Sequence, residues 1–293
     1  LRMSGDGRSI IFRPEAGYSG VAQVSLVADD GYLSSAAHTY TVNVSNAALI
    51  AIDILTRRPV IQTGSAVQMG FVGDFADQTG VELAPDYLQF ATAGGDAATI
   101  NANGMLRGVH NGYGALVASR GDLSAATAYV VGAPTTLEDA AIQLGGIDTY
   151  PGSVTLADHG GQRQIKVTSL DEDVASATSG AMYFAGDGRV VQISADGLIS
   201  GLDAGESVIT VIYRSAESRL AVRVQTPTVG PTVVGADGGL VSDANGMRVA
   251  VAPGALKSDT TVSIQAADPT TFGPPMLPAD QGYTLGEIGR AHV

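Results

Sequence analysis

The sequence predicts an all-β chain of tandem antiparallel β-sandwiches, and three observations carry that expectation. First, residues 100–131 align without a gap onto residues 193–224 at an offset of 93. Ile100 falls on Ile193, Gly104 on Gly197, Gly108 on Gly201, Gly112 on Gly205, Ala128 on Ala221 and Val131 on Val224. A fixed period of this kind means one folded unit used at least twice. Second, short runs of alternating apolar and polar residues recur at intervals of about ten residues, with turn signals between them. Third, the 293 residues include 38 glycines, which implies many turns and few long helices.

Taken in chain order, residues 1–46 hold three strand signals: Ile10–Phe12, Val21–Ala28, and the alternation of Tyr40, Val42 and Val44. Asp29-Asp30-Gly31 lies between the last two as a hairpin-type turn, since glycine takes positive φ freely. Residues 47–133 form the first copy, with strands expected at Leu49–Leu55, Ala66–Val72, Leu88–Ala91, Ala115–Ser119 and Thr127–Val131. Residues 134–227 form the second, with strands at Gln164–Val167, Val190–Ile193, Val208–Tyr213 and Leu220–Val224. In the last of these, Leu220, Val222 and Val224 alternate with Arg219, Ala221 and Arg223, a strand with one wet face.

Two features separate the copies on this reading. An insertion is expected around Ala177–Val191, with Gly186-Asp187-Gly188 forming an extra hairpin. Thr135-Thr136-Leu137-Glu138 has the form of a capping box, and Leu137, Ala140, Ala141 and Leu144 share helical spacing. Its place opposite Leu49–Leu55 of the first copy nevertheless favours a strand.

Residues 228–286 begin a further β-module. Asn245-Gly246 joins two extended runs, and Pro253-Gly254 ends the second of them because proline cannot donate to a ladder. Residues 287–293, EIGRAHV, read as the in-frame translation of a sequencing adapter and are set apart from the fold.

Composition excludes several function classes. Lysine and arginine number 16 against 29 acidic residues, a formal charge of −13, so phosphate backbones and anionic lipid surfaces are repelled. No cysteine is present, which removes disulfides and thiol chemistry. No apolar run approaches the ~18 residues needed to span a membrane; AALIAIDIL is broken by Asp53.

The repeated unit resembles the bacterial immunoglobulin-like group 2 family. In the first copy the resemblance rests on Gly64–Met69, Phe75-Ala76-Asp77, Phe90-Ala91-Thr92, Ala98-Thr99-Ile100, Gly104–Gly108 and Gly112. In the second it rests on Ser169–Ala175, Gly197–Gly201 and Gly205–Val211. Residues 12–44 resemble the second half of a cadherin-like repeat. The pattern from Val249 to Ile264 is similar to the opening of a β-module shared by ankyrins and netrin receptors. The resemblance implies tandem immunoglobulin-like sandwiches, truncated at both ends. Residues 1–46 are then the C-terminal part of a cadherin-like repeat.

The repeated glycine spacing has a local cause. Gly104 and Gly197 follow Asn103 and Asp196 in turn dipeptides, and positive φ explains these glycines together with Gly108, Gly201, Gly112 and Gly205. A phosphate-cradling loop would lead into a helix, whereas alternating strand sequence follows here.

No residue qualifies as catalytic, cofactor-binding or metal-ligating. His38, His110, His159 and His292 have no partner at ligand spacing, and no H-E-x-x-H, G-x-S-x-G or Walker pattern occurs. Asp29-Asp30, Asp74 with Asp77, and Asp171-Glu172-Asp173 are the acidic clusters from which interdomain calcium would draw oxygens, although aspartate also populates turns for its own backbone bonds. Tyr32, Tyr87, Tyr113 and Tyr150 fall in loop-like sequence, where an aromatic platform for a glycan would sit. The expected function is a non-enzymatic structural or adhesive stalk segment of a secreted or cell-surface bacterial protein. Its expected partners are the neighbouring immunoglobulin-like domains and a host or surface glycan or protein, with neither nucleic acid nor membrane insertion. An accessory region of a secreted polysaccharide-degrading enzyme, or a phage structural module, is the alternative.

Overall fold

The computed structural model describes residues 2–3, 10–15 and 17–265. The adapter-like segment 287–293, its His292 and the proline-rich stretch from Pro269 lie outside them. The chain divides into two compact units, one up to Val224 and one from Gln225 onward.

The first unit opens with the pair β1 (Arg2–Met3) and β2 (Ile10–Ile11), then the hairpin of β3 (Gly20–Leu26) and β4 (His38–Val44). The first repeat follows as β5 (Leu49–Ile54), β6 (Val60–Ile61), β7 (Ala66–Gln68), β8 (Phe71–Phe75) and β9 (Gln78–Glu82). It continues with β10 (Gln89–Ala93), β11 (Ala98–Ile100), β12 (Met105–Gly108), β13 (Gly112–Arg120) and β14 (Leu123–Val131). After helix α1 (Leu137–Gly145) the second repeat carries β15 (Asp148–Tyr150), β16 (Ser153–Ala157), β17 (Gln162–Gln164), β18 (Lys166–Ser169) and β19 (Glu172–Asp173). It ends with β20 (Met182–Ala185), β21 (Val191–Ile193), β22 (Leu198–Gly201), β23 (Gly205–Tyr213) and β24 (Ala216–Gln225).

The two repeats use one plan. Each has a four-stranded sheet, β10-β13-β14-β6 in the first and β20-β23-β24-β16 in the second. Each adds two three-stranded sheets: β5-β8-β9 and β11-β12-β7, matched by β15-β18-β19 and β21-β22-β17. The chain is therefore all-β, built of mainly antiparallel sandwich layers, with β6 joining β14 in parallel and a single α-helix among the described residues.

The offset of 93 is also a packing rule. Leu106, Leu116, Tyr129 and Val131 fill the first core, and their counterparts Ile199, Ile209, Val222 and Val224 fill the second; all eight are at most 2% exposed. The long hairpins of the two repeats are closed by two-residue turns. Gly121 at φ +58° opens one and Arg214 at φ +52° opens the other. Positive φ at that position matches the twist of the flanking strands.

Gly104 and Gly197 take φ of +73° and +81°, as the turn dipeptides require. Gly108 and Gly201 have a different cause. A Cβ at Gly108 would stand 2.8 Å from the Gln62 carbonyl oxygen, and one at Gly201 2.5 Å from that of Ala157. These glycines let one backbone pass close to another, so steric space rather than φ explains them. Gly205, likewise not at positive φ, leaves room for the Val190 side chain, from which a Cβ would stand 2.8 Å.

Three further expectations are corrected. Residues 66–72 and 164–167 each split into two strands in different sheets, because the chain crosses the sandwich at Met69 and Ile165, which are 2% and 1% exposed. No insertion separates β20 from its counterpart. Three-residue 3-10 turns at Pro85–Tyr87 and Ala177–Ser179 precede β10 and β20 alike, and Gly186-Asp187-Gly188 is no extra hairpin. The third correction is α1, which is a helix and not a strand.

Thr136, not Thr135, is the N-cap of α1, and its hydroxyl accepts from the Asp139 amide at 3.0 Å. Asp139 answers by accepting from both threonine hydroxyls. Local capping therefore outweighs the repeat register. The buried face is Asp139 and Ile142, while Leu137 and Leu144 point outward at 92% and 91% exposure.

The second unit holds β25 (Thr228–Val229), β26 (Thr232–Val234), β27 (Gly239–Ser242), β28 (Arg248–Val251) and β29 (Thr260–Val262). β27 and β28 form the Asn-Gly hairpin that the sequence predicts, with Gly246 at φ +86° and Asp243 accepting from the Asn245 and Met247 amides.

Gly201→Ala is expected to lower the stability of the full chain by about 1–3 kcal/mol, the cost of overpacking a close approach. Denaturant unfolding at constant m-value checks it, and a variant as stable as the parent would contradict the steric account.

Candidate functional site

The residues singled out by sequence are spread over the surface and occupied locally. Asp29 accepts from the Ser34 hydroxyl and the Gly31 amide, and Asp30 from the Leu33 and Tyr32 amides; these bonds lower both carboxyl pKa values. Asp74 accepts from the Gly80 amide and Asp173 from the Ala175 amide. Asp171 sits at φ +67° in a turn. Among the described residues no group of three or more acidic or histidine side chains is placed to hold a metal ion.

The histidines are likewise apart. His38 stacks edge-on to Tyr40 at 4.8 Å. The exposed His110 faces the Asn111 carbonyl at 3.0 Å and Asp96 at 2.8 Å, and these two acceptors raise its pKa. His159 lies 3.6 Å from Asp158 and 3.9 Å from Asp203. Of the tyrosines, Tyr32 and Tyr150 are free at 94% and 70% exposure. Tyr87 lies under the Arg120 guanidinium at 3.6 Å, and Tyr113 is half-buried beside α1. No two of the four candidates form a platform.

What the fold does concentrate is polar chemistry between the two repeats. The outer face of β10, β13 and β14 presents Ala93, Ala115, Val117, Ala126 and Ala128, and Met182, Phe184 and Ile212 of the second repeat cover it. Ala115, Ala126, Ala128 and Ile212 are fully buried there.

Several groups on the open edge of β14 find partners outside its own sheet. The Ser124 amide donates to the Gly186 carbonyl at 2.9 Å, and the Gly188 amide donates to the carbonyl of Asp122 just before the strand. Arg57 donates to the Ala126 carbonyl, and the Glu217 carboxylate accepts from the Ala128 amide at 2.9 Å. The Val130 and Gly132 amides donate to Pro59 and Ile61. A strand edge left bare would template association, and a buried one without partners would be costly.

Glu217 is the hub. Besides the Ala128 amide it accepts from the Thr127 hydroxyl at 2.7 Å and pairs with Arg57 at 3.2 Å, and its side chain is 7% exposed. Arg57 also pairs with Asp53, which Arg219 reaches at 3.2 Å. The order Arg219–Asp53–Arg57–Glu217 thus alternates sign across the seam. Charge-assisted bonds of this kind are stronger than neutral ones.

A second set of contacts ties α1 to both repeats. Arg58 donates to the Gln143 carbonyl at 2.8 Å, and Arg214 pairs with Glu138 and Asp139 at 2.9 and 3.0 Å. Burial pushes the Asp139 carboxyl up, but bonds from Thr136, Thr135 and Arg214 outweigh it and hold the pKa below the usual carboxylate range. Asp187 is lowered in the same way, burial being outweighed by Arg189. Beside α1 a cleft of about 20 Å³ opens between Tyr113, Pro134, Asp139 and Ser215. That is room for a single water, far below the ~300 Å³ of a small-molecule site.

Sequence reading missed this seam. One signal was available: LSAATAYVV at residues 123–131 has no wet face, so both sides of β14 required a partner.

No known protein family matches the sequence. Over 180 residues it is 27% identical to ice-binding protein 1 of Shewanella frigidimarina (strain NCIMB 400), a match covering 61% of this chain and 19% of that protein. The chain thus spans about a fifth of that relative's length. Among solved structures it is similar to domains 1–6 of the surface layer protein SbsC at 17% identity and a TM-score of 0.26, covering 79% of this chain and 36% of that one. Extracellular domains 3–5 of Drosophila OTK are similar at 10% identity and a TM-score of 0.22, covering 70% of each chain. TM-scores of this size carry no argument about function. Among the described residues no helix is long and apolar enough to cross a membrane.

Glu217→Ala is expected to cost about 3 kcal/mol, since it removes the acceptor of the Ala128 amide and the Thr127 hydroxyl and one partner of Arg57 in a buried network. Arg219→Ala, which removes an exposed pair, is expected to cost under ~1 kcal/mol. Denaturant titration of both variants checks the ranking, and equal losses contradict it.

The acid limb supplies a separate check. Because the folded pKa values of Asp139 and Asp187 are depressed, their stabilisation is fully present above about pH 4 and is lost as pH falls through the lower folded values. Asp139→Asn is expected to flatten the fall in melting temperature below about pH 4; a variant with the parental slope contradicts the assignment.

Proposed function

We propose that this chain is a non-catalytic structural segment of a secreted or cell-surface bacterial protein, in which the two sandwiches act as a stiff spacer. The observation that carries the reading is the seam itself. Two repeats joined only by a linker would swing freely, whereas here an alanine face and an alternating ion network fix one against the other. Stiffness is what a stalk supplies to whatever it holds away from a surface.

Supporting features are of three kinds. The acidic, cysteine-free composition suits export without oxidative folding. The titratable side chains singled out by sequence serve turns or neighbouring ion pairs instead of converging on a cavity. The relative from Shewanella frigidimarina carries the name of an ice-binding protein, which supports a place among bacterial proteins that meet an external phase. Adhesion through the exposed Tyr32 and Tyr150, and calcium at the acidic turns, remain parts of the proposal that each need a ligand measurement.

Nitrogen-15 relaxation of the full chain tests the spacer reading. The amides of residues 49–131 and 148–224 are expected to share one rotational correlation time. Two distinct times would remove the stiffness on which the reading depends. Thermal hysteresis measured on the same sample decides whether ice is a ligand of this segment.

A further inference from the structure

We infer that the seam is a one-to-one joint of socket and plug that closes on itself, so the contact is not handed on to a third repeat. The argument comes from superposing the repeats by their offset of 93. The first repeat meets the second with the outer face of β10, β13 and β14, and the second meets the first with the equivalent face of β20, β23 and β24.

Three contact positions coincide under that shift. Ala93 corresponds to Gly186, which precedes the turn docked on β14, and the Gly186 carbonyl takes the Ser124 amide. Ser124 corresponds to Glu217, which serves Thr127 and Ala128. Ala126 corresponds to Arg219, which reaches Asp53. The face that the second repeat would need for a third is therefore already engaged with the first. A heterologous contact that does not close makes filaments, whereas one that engages equivalent faces ends at a pair.

The two equivalent faces have also diverged in size. Where the first repeat has Ala115, Ser119 and Ala126, the second has Val208, Ile212 and Arg219, and Met182 and Phe184 add their bulk beside Ile212. Small residues form a socket on one side and large ones a plug on the other. Two sockets would meet with voids, and two plugs would bring bulk and like charge together, so each face excludes its own kind. The partner chemistry is thereby set: a socket repeat takes a plug repeat, and arrays of this unit are counted in pairs.

The test uses the full chain. Sedimentation of the parent across a hundredfold concentration range is expected to show one monomeric species, because neither face is left free. Growth into larger species through this face would overturn the closed joint. Ala126→Arg, which puts the plug residue into the socket, is expected to open the seam, raising the radius of gyration in small-angle scattering while the far-ultraviolet β signal stays. Met182→Asp attacks the plug from outside the second core and is expected to do the same if Ala126→Arg fails to fold. Unchanged dimensions in a folded Met182→Asp variant would overturn the inference.

Discussion

The backbone of β14 cannot be satisfied by the first repeat alone, and the rest of the larger unit follows from that shortage. β13 takes one side of the strand; the short β6 reaches the other only at Val130 and Val131. Backbone groups of Ser124, Ala126 and Ala128 are left facing away from β13. Gly186, Arg57 and Glu217 supply partners there; Gly186 and Glu217 come from the second repeat, and Arg57 of the first reaches across to Glu217. Hydrogen-bond demand, not apolar area, decides where the second repeat sits. The interface side chains are mostly alanine, and each buries little surface.

That demand explains the position of the charges. A buried carboxylate such as Glu217 is tolerable because a hydroxyl, an amide and a guanidinium all meet it. Arg214 shows the same economy in the hairpin turn of the second repeat. Its left-handed backbone is strained for a side chain with a Cβ, and its guanidinium is held by Glu138 and Asp139 at the start of α1. The helix that breaks the repeat is thereby bound to the hairpin that closes it, and through Arg58 to the first repeat.

Much of the fold was legible from local chemistry. Glycine spacing, the Asn-Gly and Asp-Gly turns, and alternation in Leu220–Val224 report on neighbours in sequence or on one strand's two faces, and all reappear in the structure. The helix was misjudged because repeat register was weighed above a cap that Thr136 and Asp139 complete by themselves. The role of Gly108 and Gly201 was misassigned because a close pass of two backbones leaves the same residue in the sequence as a positive φ. The seam was hidden for a stronger reason. Arg57 and Glu217 stand 160 positions apart, and only folding of both repeats brings them together. A strand with two dry faces was the single trace it left in the sequence.

Native-state hydrogen exchange of the full chain tests the central claim most directly, read at the outward amides of Ser124 and Ala128. If the second repeat completes the edge of β14, these amides exchange as slowly as Leu116 and Val211 in the two cores, through opening of the whole unit. Fast exchange at Ser124 and Ala128, with the cores still protected, would mean a bare edge and two sandwiches that merely follow one another along the chain.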